Sequence, residues 1–390
     1  MSNDDRNFRY GYYEKVGFGG IEEKKSLEIL LRENPPDLLS RLAQLASRYS
    51  LSPGQRKQVW QLLLDVIKPD NRINEIRCQT RRKIVQHIIQ ALTVMGLVNH
   101  EQINIDDDSM LAERIINVQD YPRMIVIIFL LETKQLASTM NIAHQLQKID
   151  THDLLYLSEV FAKEFVHTNS PSSLPPYTFE DTYWIYKHFM LIINSNIGTL
   201  IETYEKFIQY LSHEDNTLHN HLVKNGIIKQ IDNNCNCNCN GNGNNNNLNF
   251  QFSHHHHHQQ QQQSLTNNSN QHTQNSTLLQ PSTSQSWICR QNSIHQKKVH
   301  TFRPIITWFV RFFSGIIHQN FVIRVLDKVI GCLINGSRPF YVLISVSKAL
   351  ILYQRKQLLR LNNTEQLKHQ LLMPLSLEES ENIFFRAVNN

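Results

Sequence analysis

The side chains best suited by type to do chemistry lie in two places. Cys235, Cys237 and Cys239 alternate with asparagine, and His254 to His258 follow one another without a break. Thiolates and imidazoles ligate zinc or copper, but structural zinc sites use cysteine pairs two to four residues apart within a folded shell. A Cys-x-Cys-x-Cys run inside an asparagine tract reads as repeat expansion, and no metal site is expected there. The second place is QRKQVWQLLLDVIKP (55–69), where Arg56 stands one helical turn before Trp60 and shares its face. There the guanidinium is either a catalytic cation or a packing partner laid over or beside the indole.

The familiar catalytic frames are missing. No G-x4-G-K-[ST] loop occurs, GFGG (17–20) is too short to serve as one, and neither G-x-S-x-G nor H-E-x-x-H is present. Histidines outside the tract at 233–299 stand singly, and His87 and His188 read as surface or satisfied core residues. The six cysteines form no disulfide framework. A net charge of +5, with only Arg77 and the run Arg81–Arg82–Lys83 as a basic cluster, excludes a nucleic-acid stripe, and that run reads as a solvated helix start. No cofactor is expected. MSNDDRNFRY carries no apolar signal region, and the longest apolar runs, 125–131 and 340–353, are too short to span a bilayer. The expectation is a cytoplasmic protein with no transmembrane segment.

Helices must position whatever chemistry there is. IEEKKSLEILLREN (21–34) places Leu27, Leu30 and Leu31 on one face and ends at Pro35–Pro36. Ser52–Pro53, with Gln55 at capping-box distance, opens a second helix whose stripe is Val59, Leu62, Leu63 and Val66, closed by Pro69. A third, about 80–96, carries Ile84, Val85, Ile88, Ile89, Leu92 and Met95. Tyr204, Phe207, Ile208 and Leu211, then Val322, Val325, Leu326 and Val329, repeat the pattern. No window alternates with period two between hairpin turns, so the fold class is all-α. Low glycine and proline content agrees. The Asn/His/Gln/Ser-rich stretch 233–299 has too little apolar surface to offset the entropy of ordering and reads as a disordered insertion in a surface loop.

Three segments together resemble the TBC domain, the helical fold of Rab GTPase-activating proteins. Arg56-x3-Trp60 followed by LLLDVIKP resembles its first signature, and EDTYWIYKHFM (180–190), with Asp181 and Trp184, its Glu-Asp-x-aromatic-Trp segment. WFVRFFSGIIHQNFVIRVLDKVI (308–330), with Arg324 and Asp327, resembles its Trp-Phe…Arg-x-Trp-Asp stretch, with Leu326 in place of tryptophan. The resemblance implies a division into an N-terminal segment 1–47 with a helix about 21–33, a first TBC part 48–232, the insertion 233–299, a last TBC part 300–355 and a helical tail 356–390. It also implies that Arg56 is structural, and that catalysis, where the family has it, needs an arginine in I-x2-D-x2-R and a glutamine in Y-x-Q.

Both positions are degenerate. NVQDYPR (117–123) offers Arg123 with Asn117 for the leading isoleucine and Pro122 immediately before the arginine; proline there should push Tyr121 away from helical angles. YLS (156–158) has Ser158 where glutamine would stand, too short to orient a water at a γ-phosphate. No catalytic residue is therefore expected. The start NFRYGYYEKVGFGGIEEKKSLEILL (7–31) narrows the likeness to the branch of the family that serves as a subunit of the tuberous sclerosis complex. This implies a scaffold that binds the hamartin coiled coil, supports GTPase activation of Rheb by tuberin and restrains mTOR complex signalling, with recruitment to a lysosome or vesicle surface. MIVIIFLLETKQLA (124–137) is the candidate helix-binding stretch, through Ile125, Ile127, Ile128, Leu131 and Leu136, with the protein's own core as the alternative destination. The alternative function is an active Rab-family GTPase activator using Arg123, with the serine or with Gln145 or Gln147 as a displaced glutamine.

Overall fold

Segments rich in leucine and short of glycine fold here as helices that bury one face each. The computed structural model describes residues 21–70, 73–96, 98–99, 116–117, 120–133, 152–166, 179–228 and 304–389. In chain order the helices are α1 (Ile21–Glu33), α2 (Leu38–Arg48), α3 (Pro53–Leu63), α4 (Asn74–Val94), α5 (Tyr121–Glu132), α6 (His152–Phe165) and α7 (Phe179–Ser195). They continue with α8 (Ile197–Glu214), α9 (Asn216–Lys224), α10 (Pro304–Val310), α11 (Gln319–Asn335), α12 (Tyr341–Leu358), α13 (Thr364–Leu372) and α14 (Leu377–Asn389). One two-residue parallel pairing, β1 (Val98–Asn99) with β2 (Ile116–Asn117), is the extended structure among the described residues, in an otherwise all-α architecture.

Two helix boundaries differ from the sequence reading for physical reasons. α3 stops at Leu63 rather than at Pro69, because Asp65 turns into the left-handed region (φ 58°), while Leu64 and Val66 still reach the core. α4 begins at Asn74, six residues ahead of the expected start, because its first turns point Ile73 and Ile76 into solvent and carry no core periodicity.

The core joins both sides of the 229–303 stretch, which lies outside the described residues together with the expected insertion, Cys235, Cys237, Cys239 and His254 to His258. α8 packs on α12 and α2 lies along α11, so the described helices from both sides belong to one compact unit. The α2–α11 crossing is unusually close. A Cβ on Gly331 would stand 2.5 Å from the Ser47 nitrogen and 2.6 Å from the Ala43 carbonyl oxygen, and Ala43 and Ala46 are fully buried. Between α10 and α11 the chain turns through Phe312 (φ 51°) and Phe313 (φ 63°), a costly left-handed geometry for aromatic residues. Both rings are buried in the aromatic core, which holds the turn in place. The tail helices fold back, α14 on α12 and α11, and α13 on α10. Among the described residues, no helix is long and apolar enough to cross a membrane.

Candidate functional site

Arg56 does not lie over Trp60. Both side chains instead converge on one carboxylate, that of Asp327, which is fully buried on α11. Arg56 Nε donates to Asp327 Oδ1 at 3.1 Å, and Trp60 Nε1 donates to the same oxygen at 2.8 Å. The Leu51 amide donates to Oδ2 at 3.0 Å, Arg56 Nη2 donates to the Leu51 carbonyl at 2.5 Å, and Arg56 Nη1 pairs with Glu164 on α6. The expected cation–π packing is thus replaced by a hydrogen-bonded ion cluster, because a buried carboxylate needs donors more than an indole needs a cation. Burial works against the Arg56 charge, but Asp327 and Glu164 outweigh it and hold its pKa above the ordinary arginine value. Burial pushes the Glu164 carboxyl up, against the pull of Arg56. Nothing in this cluster is left to reach a nucleotide.

A second cluster ties α3, α4 and α7 together. Lys57 Nζ donates to Asp181 Oδ2 at 2.9 Å, and Arg82 grips the same carboxylate through Nε (2.9 Å) and Nη2 (2.8 Å). Burial would raise the Asp181 pKa, but the Arg82 bond and the Lys57 charge hold it below the usual carboxylate range. Trp184 Nε1 donates to the Arg81 carbonyl at 3.1 Å, with the Arg81 guanidinium 4.9 Å and the Lys187 amine 4.3 Å from the ring centre. Arg81 and Arg82 are therefore not a solvated helix start. They sit mid-helix and are engaged on α7 and on the Val66 carbonyl. The sequence offered no sign of Lys57 or Glu164 as partners, since both ion pairs close over long chain separations.

The degenerate finger positions do come together. α5 opens at Tyr121 with Pro122 in its first turn, where no amide hydrogen is required, so proline starts the helix and does not displace Tyr121 from it. Asp120 caps the turn by accepting from the Arg123 amide, and its carboxylate pairs with Arg123 Nε at 3.3 Å. The Arg123 side chain is 56% exposed. Ser158 faces the same turn from α6, fully buried, its Oγ 3.1 Å from the Pro122 carbonyl and 2.9 Å from the Leu155 carbonyl. Two residues earlier, Tyr156 lies under the Arg311 guanidinium at 4.1 Å, and Arg311 Nε bonds Asp153 at 2.5 Å. Ser158, at the position where the resemblance would place a glutamine, is thus a buried hydroxyl that fastens α6 to α5. Gln145 and Gln147 lie outside the described residues.

The remaining candidates divide by burial. Ile125, Ile127 and Ile128 are enclosed in the core on α5, Leu131 is half-buried, and Leu136 lies outside the described residues. Arg324 stacks on Phe321 and Phe384, at 5.2 and 5.8 Å, and Leu326 is fully buried. His188 is satisfied, its Nδ1 2.9 Å from the Leu64 carbonyl. What the sequence reading missed is the outer face of α4. Ile73, Ile76, Thr80, Ile84, His87, Ala91 and Val94 follow spacings of three or four and all face solvent, Val94 at 83% and Ile76 at 66% exposure. The spacing was visible in the sequence, but it reads equally well as a core face. Among the described residues, no group of histidine, cysteine, aspartate and glutamate could hold a metal ion.

No family model matches the chain. TBC1 domain family member 7 of Danio rerio is 43% identical over 100 residues, covering 25% of this chain and 34% of that protein. The Homo sapiens protein of the same name is 31% identical over 57% of this chain and 66% of its own length, and that of Xenopus tropicalis 27% over 59% and 69%. The matched region therefore spans about a third to two thirds of the length of these relatives. A solved Ypt/Rab-GAP domain, that of Gyp1p, superposes with a TM-score of 0.41 at 12% identity over 90% of this chain and 91% of that one, too low to argue from. The all-helical architecture and these relatives agree, and the chain belongs to the family of TBC1 domain family member 7 as a TBC-domain protein.

Proposed function

We propose that this protein is a non-catalytic TBC-domain scaffold that docks a partner helix on the outer face of α4. The observation that carries this reading is the exposed apolar stripe, Ile73 to Val94, about 30 Å long on a helix of 21 residues. Exposed apolar surface of that extent on a soluble domain marks an interaction site, and its spacing suits a helix laid alongside. The partner that the family resemblance implies is the hamartin coiled coil, within a complex in which tuberin activates GTP hydrolysis on Rheb and restrains mTOR signalling at a lysosomal or vesicle surface. Loss of catalysis is supported by Ser158, whose hydroxyl is buried and spent, and by Arg123, paired to its own helix cap.

The test is capture of a hamartin coiled-coil fragment by the full chain. Ile76→Glu and Ile84→Glu should each weaken capture at least tenfold with the melting temperature unchanged. Undiminished capture by the folded double variant would remove the α4 face from the proposal. A second reading, activation of a Rab-family GTPase, is favoured by one observation: the Arg123 side chain is more than half exposed at a helix start. Single-turnover GTP hydrolysis separates the two, because Arg123→Ala abolishes activity in the second reading and changes nothing in the first.

A further inference from the structure

The α4 stripe is matched by a second exposed apolar face at the other end of the chain. On α14, Leu377, Glu381, Phe385 and Val388 recur at spacings of four, four and three, and all face solvent, with Phe385 68% exposed. The opposite side of α14 is spent on the core through Ser380, Ile383, Phe384 and Ala387. The charges that the two helices themselves place around the stripes are opposite, while Arg324 of α11, within electrostatic reach of Glu381, adds one cation beside the α14 stripe. Arg77 and Lys83 border the α4 stripe, and the acids Glu378 and Glu381 border or interrupt the α14 stripe. The exceptions, Glu75 on α4 and Arg386 on α14, lie away from the stripes by helical phase. Each face is open to solvent within a single copy, so neither is covered by the other in the same molecule.

We infer that α14 of one copy docks on α4 of a second copy of this chain, through apolar stripes steered by opposite charges. Such a contact joins two different surfaces, so made head to tail it grows as an open chain, and made reciprocally it closes as a two-fold dimer. In the head-to-tail form each pair retains one free α4 face and one free α14 face, so assembly continues. A single helix-on-helix contact buries well under about 1,200 Å², which places the association in the weak, concentration-dependent class. It falls further at high salt, because the charge pairs are exposed. The inference needs the α4 face but no other protein, so its failure would leave the hamartin reading standing. Phe385→Glu separates them, since it removes self-association and should leave hamartin capture intact.

The experiment is sedimentation of the full chain across a wide concentration range, with wild type, Ile76→Glu, Phe385→Glu and an equimolar mixture of the two variants. The wild-type average mass should rise with concentration, to the dimer if the contact is reciprocal and past it if it runs head to tail. Each variant alone should stay monomeric, and the mixture should stop at a one-to-one dimer, because only one intact α4 face and one intact α14 face then remain to pair. Both positions are exposed, so folding is not at stake, and circular dichroism checks it. As a second arm, Lys83→Glu should weaken assembly and pairing it with a Glu381→Lys copy should restore it. A wild-type chain that is monomeric throughout overturns the inference. So does self-association that survives in Phe385→Glu, or a variant mixture that stays monomeric.

Discussion

Arg56 Nε and Asp327 Oδ1 lie 3.1 Å apart across 271 residues of chain, and Trp60 shares the same carboxylate oxygen. That contact fastens the first helices after the N-terminal segment to α11, on the far side of the 229–303 stretch. It makes Arg56 part of the fold's closure, with its guanidinium N–H groups engaged on Asp327, Glu164 and the Leu51 carbonyl.

Removing one partner of this cluster strands the others. Asp327→Ala should cost about 3–5 kcal/mol, the usual range for breaking a buried pair, and Arg56→Ala a similar amount. Urea denaturation measures both. The double variant should lose much less than the sum, since the second change removes a charge already left unpaired.

A glutamine placed at position 158 should not confer GTPase activation. Ser158 is fully buried between α6 and the Pro122 carbonyl, so Ser158→Gln forces a longer side chain into filled space and should destabilise by about 1–3 kcal/mol. Stability and single-turnover GTP hydrolysis measured on the same preparation check this. A stable Ser158→Gln protein that accelerates a Rab would show that the pocket opens toward solvent.

The close crossing of α2 and α11 leaves no room for a methyl group. Gly331→Ala places a Cβ within 2.6 Å of backbone atoms of Ala43 and Ser47, which cannot rotate away as a side chain can. A loss of about 1–3 kcal/mol is expected as the helices are pushed apart. Thermal unfolding reads the loss directly, and Gly331→Ser should be no better tolerated.

His188 gives the protein a mild acid sensitivity. Burial, and then the Arg81 charge, depress its pKa below the ordinary histidine value. A depressed folded-state pKa means that the unfolded chain binds the proton more readily, so this stabilisation is full above about pH 6.5 and is lost as the pH falls through the depressed value. Wild type should therefore lose more melting temperature between pH 7 and 5 than His188→Gln does. Equal losses would assign the sensitivity elsewhere.

Excision of 233–299 tests the single-unit architecture. α8 with α12, and α2 with α11, pack from opposite sides of that stretch. A chain with a short flexible linker in its place should melt in one cooperative transition, as loop shortening changes closure entropy only slowly with length. Two separate transitions would show that the parts fold independently.

Much of this protein is determined by the order of its residues alone. Period-3.6 apolar stripes specify helices at 21–33 and 53–63 and along 319–335, because a helix must bury one face to offset its entropy. Arg56, Trp60, Asp181 and Asp327, and the positions 117, 122 and 158, were singled out by the family resemblance of the segments that carry them. The tertiary structure alone decided what those residues touch. Arg56 and Trp60 meet through a carboxylate rather than ring to cation, and Lys57 and Glu164 entered clusters that no local spacing announces, since hydrogen bonds over long separations leave no periodic trace. It also decided which apolar helix faces water. The run at 124–130 and the stripe from Ile73 to Val94 are both apolar, yet the first is enclosed and the second exposed. Periodicity records that a face is apolar; only the packing of the other helices determines whether anything covers it.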